Sequence, residues 1–244
     1  MEASVSYKNK FIKFDSYIKN NNNCKKRLAL YYTNFLHKTF TMKNLLFLLS
    51  VLILNASFGQ SSQEFFDSGF AKSNLGDYSG AIVEYNKAID KNNTEADYYT
   101  YRGIAKNYLK DYTGAIKDYN KTIELDPNNL RAYNNRGNTK RNLQDYSGAI
   151  ADYTKVIDNN SNDAIMQDSY NNRGLAKIYL KEYASAIADY NKAIEQDPND
   201  ARVFTNRGDA KQYQGKISDA CMDWKKAQEL GDDNNYEKIK NFCK

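Results

Sequence analysis

The sequence predicts an all-α solenoid of about five helix pairs, closed by a short C-terminal capping helix. Three observations predict it. Arg-Gly recurs at Arg102-Gly103, Arg136-Gly137, Arg173-Gly174 and Arg207-Gly208, in steps of 34, 37 and 34 residues. Ala-Ile recurs alongside it at Ala81-Ile82, Ala115-Ile116, Ala149-Ile150 and Ala186-Ile187, stepping 34, 34 and 37. The chain has only 2 prolines, and Pro127 and Pro198 occupy the same place in their repeats. A period near 34 residues is that of stacked helix pairs, each burying its apolar side against its neighbours. An array of this kind presents an extended concave face, so binding is expected in preference to catalysis.

Counted so that the glycine takes place eight, the units are 62–95, 96–129, 130–163, 167–200 and 201–234. Unit two shows the internal plan. Tyr98, Tyr99, Arg102, Gly103, Ala105 and Leu109 lie on a first helix, and Asp111-Tyr112 form the turn. Ala115, Tyr119, Thr122 and Ile123 follow at i, i+4, i+7 and i+8, one stripe of a second helix. Leu125-Asp126-Pro127 ends it, because proline cannot continue the helix. Ala164, Ile165 and Met166 are inserted between units three and four. They follow the turn-like Asn159-Asn160-Ser161-Asn162 and are expected to lengthen a loop and spare the helices. Gly231 should end the last paired helix. In the capping segment 235–244, Ile239, Phe242 and Cys243 share one face, and this face is expected to pack on the second helix of unit five.

Upstream of the array the composition changes. Net charge is +5 for the whole chain, but residues 1–59 hold nine Lys/Arg against Glu2 and Asp15, and the remainder is −2. The single histidine, His37, lies in that leader. Met42 and Lys43 precede an apolar run from Leu45 to Leu54, and Ser57 and Gly59 stand three and one before Gln60. This is the layout of a secretory signal peptide over 42–59, cut before Gln60. The run falls short of the about 20 residues that span a bilayer, so stable membrane insertion is not expected. Residues 1–41 are read as a non-native upstream extension or a disordered segment. The rival reading is a basic cytosolic extension ahead of a signal anchor. Export to a periplasm or the exterior is the expectation for residues 60–244.

One aromatic set recurs at place four (Phe65, Tyr99, Tyr133, Tyr170, Phe204) and another at place twenty-four (Tyr85, Tyr119, Tyr153, Tyr190, Trp224). Recurring at one register, they read as packing between helices and not as a ligand cage. Gly at place eight, Ala at twenty, an aromatic at twenty-four, a small or β-branched residue at twenty-seven and Pro at thirty-two resemble the tetratricopeptide repeat over 62–234. One departure is consistent: place eleven, usually aromatic in that family, is Lys72, Lys106, Lys140, Lys177 and Lys211. The resemblance implies a right-handed superhelix whose first helices line a ligand groove. The groove residues it implies are Tyr101, Asn134, Asn135, Asn138, Arg141, Asn171, Asn172, Arg202 and Asn206. Asparagine carries both donor and acceptor, so Asn135, Asn172 and Asn206, one per unit, form a ladder able to pair with an extended backbone. A solvated polar face in an Asn-rich chain is the alternative. Some family members clamp a C-terminal carboxylate with Lys and Asn, then Asn, then two cations. Asn138, Asn172 and Arg202 match that pattern, while Asn134 and Asn206 stand where two of its cations would be.

Arg102, Arg136, Arg173 and Arg207 recur together with Asp118, Asp152, Asp189 and Asp223. Partners that repeat together are read as a structural ion pair in preference to an acidic-ligand stripe. After export the chain keeps two cysteines, Cys221 and Cys243. They form a disulfide candidate pinning the cap, with two buried free thiols as the alternative.

Residues 60–244 lack histidine, a glycine-rich phosphate loop and a nucleophile motif, which argues against an enzyme. No cofactor and no metal are expected, since no EF-hand-like spacing appears. Net −2 and no basic stripe beyond Lys225-Lys226 argue against nucleic acid. The expected function is a non-enzymatic scaffold or adaptor for a protein or peptide, with self-association left open. A cytosolic co-chaperone-like adaptor, or the regulatory module of an envelope enzyme complex, is the alternative.

Overall fold

The computed structural model describes residues 60–159 and 164–243; the expected extension 1–41 and signal segment 42–59 lie outside them. The described residues form eleven α-helices and one 3-10 turn, with no strand. Five antiparallel pairs follow in order: α1 (Ser62–Asn74) with α2 (Tyr78–Lys91), α3 (Ala96–Tyr108) with α4 (Tyr112–Leu125), and α5 (Leu130–Asn142) with α6 (Tyr146–Asp158). Then come α7 (Ala164–Tyr179) with α8 (Tyr183–Gln196), and α9 (Ala201–Tyr213) with α10 (Ile217–Glu229). A 3-10 turn (Asp233–Asn235) and α11 (Tyr236–Phe242) complete the chain. Each helix packs on the next, and the first helices of successive units also touch: α1 on α3, α3 on α5, α5 on α7, α7 on α9. The odd-numbered helices α1 to α9 therefore share one side of the array.

The turn inside each pair repeats one device. The first helix closes on a residue with positive φ: Gly76, Lys110, Gln144, Lys181 and Gly215. The next amide reaches back to the helix, as from Asp77 to the Lys72 carbonyl at 3.0 Å and from Asp145 to the Lys140 carbonyl at 2.9 Å. These bonds satisfy carbonyls that a helix end would leave bare. In units one to three the second helix then starts on a side-chain cap. Asp77, Asp111 and Asp145 accept the amides of Gly80, Gly114 and Gly148 at 2.8, 2.9 and 2.9 Å.

The core is one contact copied five times. The ring at place twenty-four lies against the glycine at place eight, so close that a Cβ on Gly137 would stand 2.8 Å from Tyr153 Cε1. On Gly208 it would meet Trp224 at 2.6 Å. Tyr85, Tyr153, Tyr190 and Trp224 are fully buried as a result, together with the alanines at place twenty.

Each of these rings is flanked by a buried carboxylate. Asp118, Asp152, Asp189 and Asp223 are 3–4% exposed. The arginine at place seven grips each one through two nitrogens, as Arg136 Nε and Nη2 hold Asp152 at 2.9 and 2.6 Å. The lysine at place eleven supplies a second cation, 2.8 Å away in every case. The consistent lysine at a place the family fills with an aromatic thus has a structural reason. Two cations and a forked hydrogen bond offset the large cost of burying a carboxylate. The third arginine nitrogen reaches the preceding unit: Arg102 to Asn86, Arg136 to Asn120, Arg173 to Thr154 and Arg207 to Asn191, at 2.6–3.0 Å. Unit one carries Ser68 in place of arginine, and Lys72 and Lys87 hold Glu84 at 2.7 and 3.0 Å. Lys72 first, then Lys87, keeps the Glu84 carboxyl below its ordinary range.

The inserted residues do not lengthen a loop. α7 has 16 residues against 13 in α5 and α9, so Ala164, Ile165 and Met166 extend the helix at its start. Met166 is buried, and Ser169 Oγ donates to the Ile165 carbonyl at 2.7 Å. Three helix-compatible residues with an apolar side chain to bury continue a helix more favourably than they extend a turn.

At the other end, Ile239 and Cys243 pack on Ala220, Cys221 and Trp224. Lys238 reaches across to Asp209 on α9, 2.8 Å from Oδ2. The Cα atoms of Cys221 and Cys243 are 5.6 Å apart.

Asp152→Ala is expected to cost about 3–5 kcal/mol in urea unfolding, because it strands Arg136 and Lys140 in a partly dry site. Asp158→Ala on the exposed side of the same helix should stay within about 0.5 kcal/mol. Gly137→Ala should cost about 1–3 kcal/mol by driving a methyl into the Tyr153 ring.

Candidate functional site

The candidate site is the face formed by the first helices. Their register there follows from the core. A ring that crosses over the place-eight glycine brings its polar tip to place nine: Tyr153 donates to Asn138 Oδ1 at 2.7 Å, and Trp224 Nε1 donates to Asp209 Oδ1 at 2.9 Å. Side chains on neighbouring first helices then meet in pairs. Thr139 donates to Asn107 Oδ1 at 3.0 Å, Ser169 to Asn134 Oδ1 at 3.1 Å, and Asn206 Nδ2 to Asn171 Oδ1 at 2.8 Å.

These bonds divide the nine expected groove residues. Asn134, Asn138, Asn171 and Asn206 each use a side-chain atom inside the solenoid, and Asn171 is buried. Arg202 is exposed but tied to Asp200 at 2.8 Å and Asp168 at 3.5 Å. Of the residues that match the carboxylate clamp, Asn138 and Arg202 are therefore engaged elsewhere. Tyr101 packs edge-on against Phe66 and Phe70, with ring centroids 5.3 and 5.5 Å away. Asn135, Arg141 and Asn172 are half-buried, and their side chains make no hydrogen bond or ion pair among the described residues. Asn135 and Asn172 share place six in adjacent units, so the ladder has two open rungs where three were expected.

Two features escaped the sequence reading. Tyrosines at place seventeen stack on tyrosines at place thirteen of the next unit: Tyr78 on Tyr108 at 4.4 Å and Tyr146 on Tyr179 at 4.6 Å, both nearly parallel. Tyr183 and Tyr213 repeat this at 5.4 Å. The signal was present as Tyr pairs 30 to 33 residues apart, visible only once adjacent units are aligned. The second feature is the buried hydroxyl of Tyr190, which has no hydrogen-bond partner among the described residues. The residue at place nine of its unit is Leu175, which cannot accept as Asn138 does. Burial pushes the Tyr85 phenol up to about 12 and raises Tyr119, Tyr153 and Tyr190 well above the ordinary tyrosine value. These rings stay neutral at physiological pH.

The chemistry on offer is recognition by hydrogen bonds. No group of His, Cys, Asp and Glu able to hold a metal ion occurs among the described residues. No described helix is long and apolar enough to cross a membrane. Asn138→Ala should cost about 1–3 kcal/mol in thermal or urea unfolding, because it orphans the Tyr153 hydroxyl. Asn172→Ala should leave stability within about 0.5 kcal/mol.

Comparison with known proteins agrees with this architecture. Models described as "Tetratricopeptide repeat" match residues 130–163 and 168–200, and one described as "TPR repeat" matches 103–143. A crystal structure of the MamA protein is 25% identical, with a TM-score of 0.63 over 74% of this chain and 94% of that one. MamA 41-end from Desulfovibrio magneticus RS-1 superposes with a TM-score of 0.66 at 19% identity, over 72% of this chain and 98% of that one. YrrB, titled a TPR protein with an unusual peptide-binding site, gives a TM-score of 0.60 at 19% identity, over 70% of this chain and 87% of that one. No curated protein sequence matches. Residues 103–163 and 168–200 thus match models of the tetratricopeptide repeat, and the five helix pairs build an array with the fold of a tetratricopeptide-repeat solenoid.

Proposed function

We propose that this chain is a non-enzymatic scaffold that holds an extended peptide or protein segment against its first-helix face. One observation carries the proposal. Asn135 and Asn172 stand at the same place on adjacent helices, half-buried, with amides that no described residue uses. An extended backbone offers alternating N–H and C=O groups, and each amide pairs with one peptide unit whatever its side chains are. The likeness in fold to YrrB, whose title records a peptide-binding site, is consistent with this role. Around the rungs, Tyr101, Phe66 and Phe70 offer apolar contact at the N-terminal end of the face.

We further propose that the protein works outside the cytosol, after removal of 42–59, and that Cys221 and Cys243 are joined there. The support is the signal-like layout of 42–59 and the 5.6 Å Cα separation, inside the range a disulfide needs. The bridge would fasten α11 over Trp224, whose apolar surface the last helix pair would otherwise expose.

Three outcomes check this. Crosslinked capture from the native cell envelope should recover a partner with wild type and lose it with a folded Asn135/Asn172→Ala variant; equal capture by both moves function off this face. The intact mass of the native protein should correspond to a chain starting at Gln60, and a mass starting at Met1 favours the cytosolic adaptor. Reduction, or Cys221→Ser with Cys243→Ser, should lower stability by about 3 kcal/mol for a loop of this length.

A further inference from the structure

Three places after Gln60 carry asparagine, any residue but proline, then serine or threonine: Asn92-Asn93-Thr94, Asn120-Lys121-Thr122 and Asn159-Asn160-Ser161. This tripeptide is the signal for attaching a sugar to the asparagine amide of an exported protein, and transfer needs it on accessible chain. The first two also share an aspartate two residues earlier, Asp90 and Asp118, so the sequence ranks them equally. The fold does not. Asn120 lies within α4, and its Oδ1 accepts from Arg136 at 2.6 Å, the bond that ties unit three to unit two. Thr122 is fully buried, its hydroxyl 3.1 Å from that of Thr100 and 3.2 Å from the Asp118 carbonyl. Presenting this tripeptide to an enzyme means unwinding α4 and breaking the core of unit two. Ser161 of the third tripeptide lies outside the described residues.

Asn92 is placed differently. α2 ends at Lys91 and α3 starts at Ala96, so residues 92–95 form the connection between units one and two. Both ends of it are extended backbone, Asn92 at φ −149° and ψ 108° and Glu95 at φ −85° and ψ 111°. Asn93, Thr94 and Glu95 are exposed, and Asn92 is half-buried. Thr94 turns both its amide and its hydroxyl to Asn92 Oδ1, at 3.0 and 2.8 Å. The carbonyl end of the side-chain amide is thus held. Its Nδ2 has one long contact, 3.3 Å to the exposed carboxylate of Glu95. Both residues of the signal therefore already stand together on chain that no helix has to release.

We propose that Asn92 is an N-glycosylation site of the exported protein. The donor is a glycan carried on a polyprenyl diphosphate. Asn92 Nδ2 bonds to C1 of the first sugar as the C1–O bond to the diphosphate breaks. The lipid diphosphate leaves with that electron pair, and Nδ2 gives up one proton. Thr94 is the positioning half of the signal, its hydroxyl set on the amide that reacts. The sugar attaches to a connection between helix pairs, so it uses no residue of the peptide-binding reading. The inference rests on the export reading above, because lipid-carried glycans are transferred to protein on the far side of the membrane.

The test is mass spectrometry of the full-length gene product, purified from the cells that make it and measured intact and as tryptic peptides. The intact mass should exceed that of the polypeptide by a glycan, and peptide mapping should place the glycan on Asn92. Asn92→Gln and Thr94→Ala should each abolish the added mass. Thr94→Ser should keep it, since serine also completes the signal. Asn120→Gln should leave the glycan in place. A bare polypeptide starting at Gln60 overturns the site and leaves the export reading standing, whereas a bare polypeptide starting at Met1 overturns both. A glycan on Asn120 or Asn159 with Asn92 bare, or one that survives Thr94→Ala, overturns the assignment to Asn92.

Discussion

The buried aspartate on the second helix of units two to five is the constraint on which the rest of the array depends. A carboxylate at 3–4% exposure survives only if its oxygens are matched, and here the arginine and lysine of the first helix match them. That requirement fixes the rotation of one helix on the other, since a forked two-nitrogen contact tolerates little turning. The rotation in turn lays the place-twenty-four ring on the place-eight glycine. With its remaining nitrogen the same arginine holds the preceding unit, so one side chain sets both the pairing within a repeat and the step between repeats. The guanidinium also lies over the ring at place four, 5.3–5.6 Å from its centroid, which keeps it from swinging away.

The ladder has definite ends. Unit one has Ser68 and Glu84, with two lysines in place of the arginine fork. In unit five, place twenty-five is Lys225, which offers no acceptor to a following arginine. There the chain changes partner: Lys238 of the cap takes Asp209, Trp224 donates to the same carboxylate, and Asn235 is buried against Thr205. The cap therefore continues the polar logic of the repeats with different residues. It also places Cys243 beside Cys221, the one unit where isoleucine gives way at place twenty-one.

Much of this was legible in the sequence. The period, the helix pairs and the Arg–Asp partnership all showed as residues that recur in step, because each repeat must solve the same packing problem against the same neighbour. The lysines at place eleven were visible as a departure without a reason; the reason is a second cation on an aspartate twelve residues later, on the facing helix. The insertion was misread for an equally physical cause. Asn159-Asn160-Ser161-Asn162 signals a turn, but that signal does not say where the turn stops, and burial of Met166 lets α7 begin at Ala164.

The site was legible only as a set of candidates. Sequence alone determined that the chain is a five-unit helical array with an asparagine-rich first-helix face, because periodicity and residue type report which side of a helix is buried. It did not say which asparagines are free, since that depends on what each side chain meets on the next helix. Asn134 faces Ser169 and Asn171 faces Asn206, so those amides are used, while Asn135 and Asn172 meet no described partner. Asn107 accepts from Thr139 and Asn138 accepts from Tyr153, so these amides too are used. Those pairings join residues about 15 to 35 positions apart, and only the tertiary packing of one unit on the next decides whether a polar group there is matched or left for a ligand.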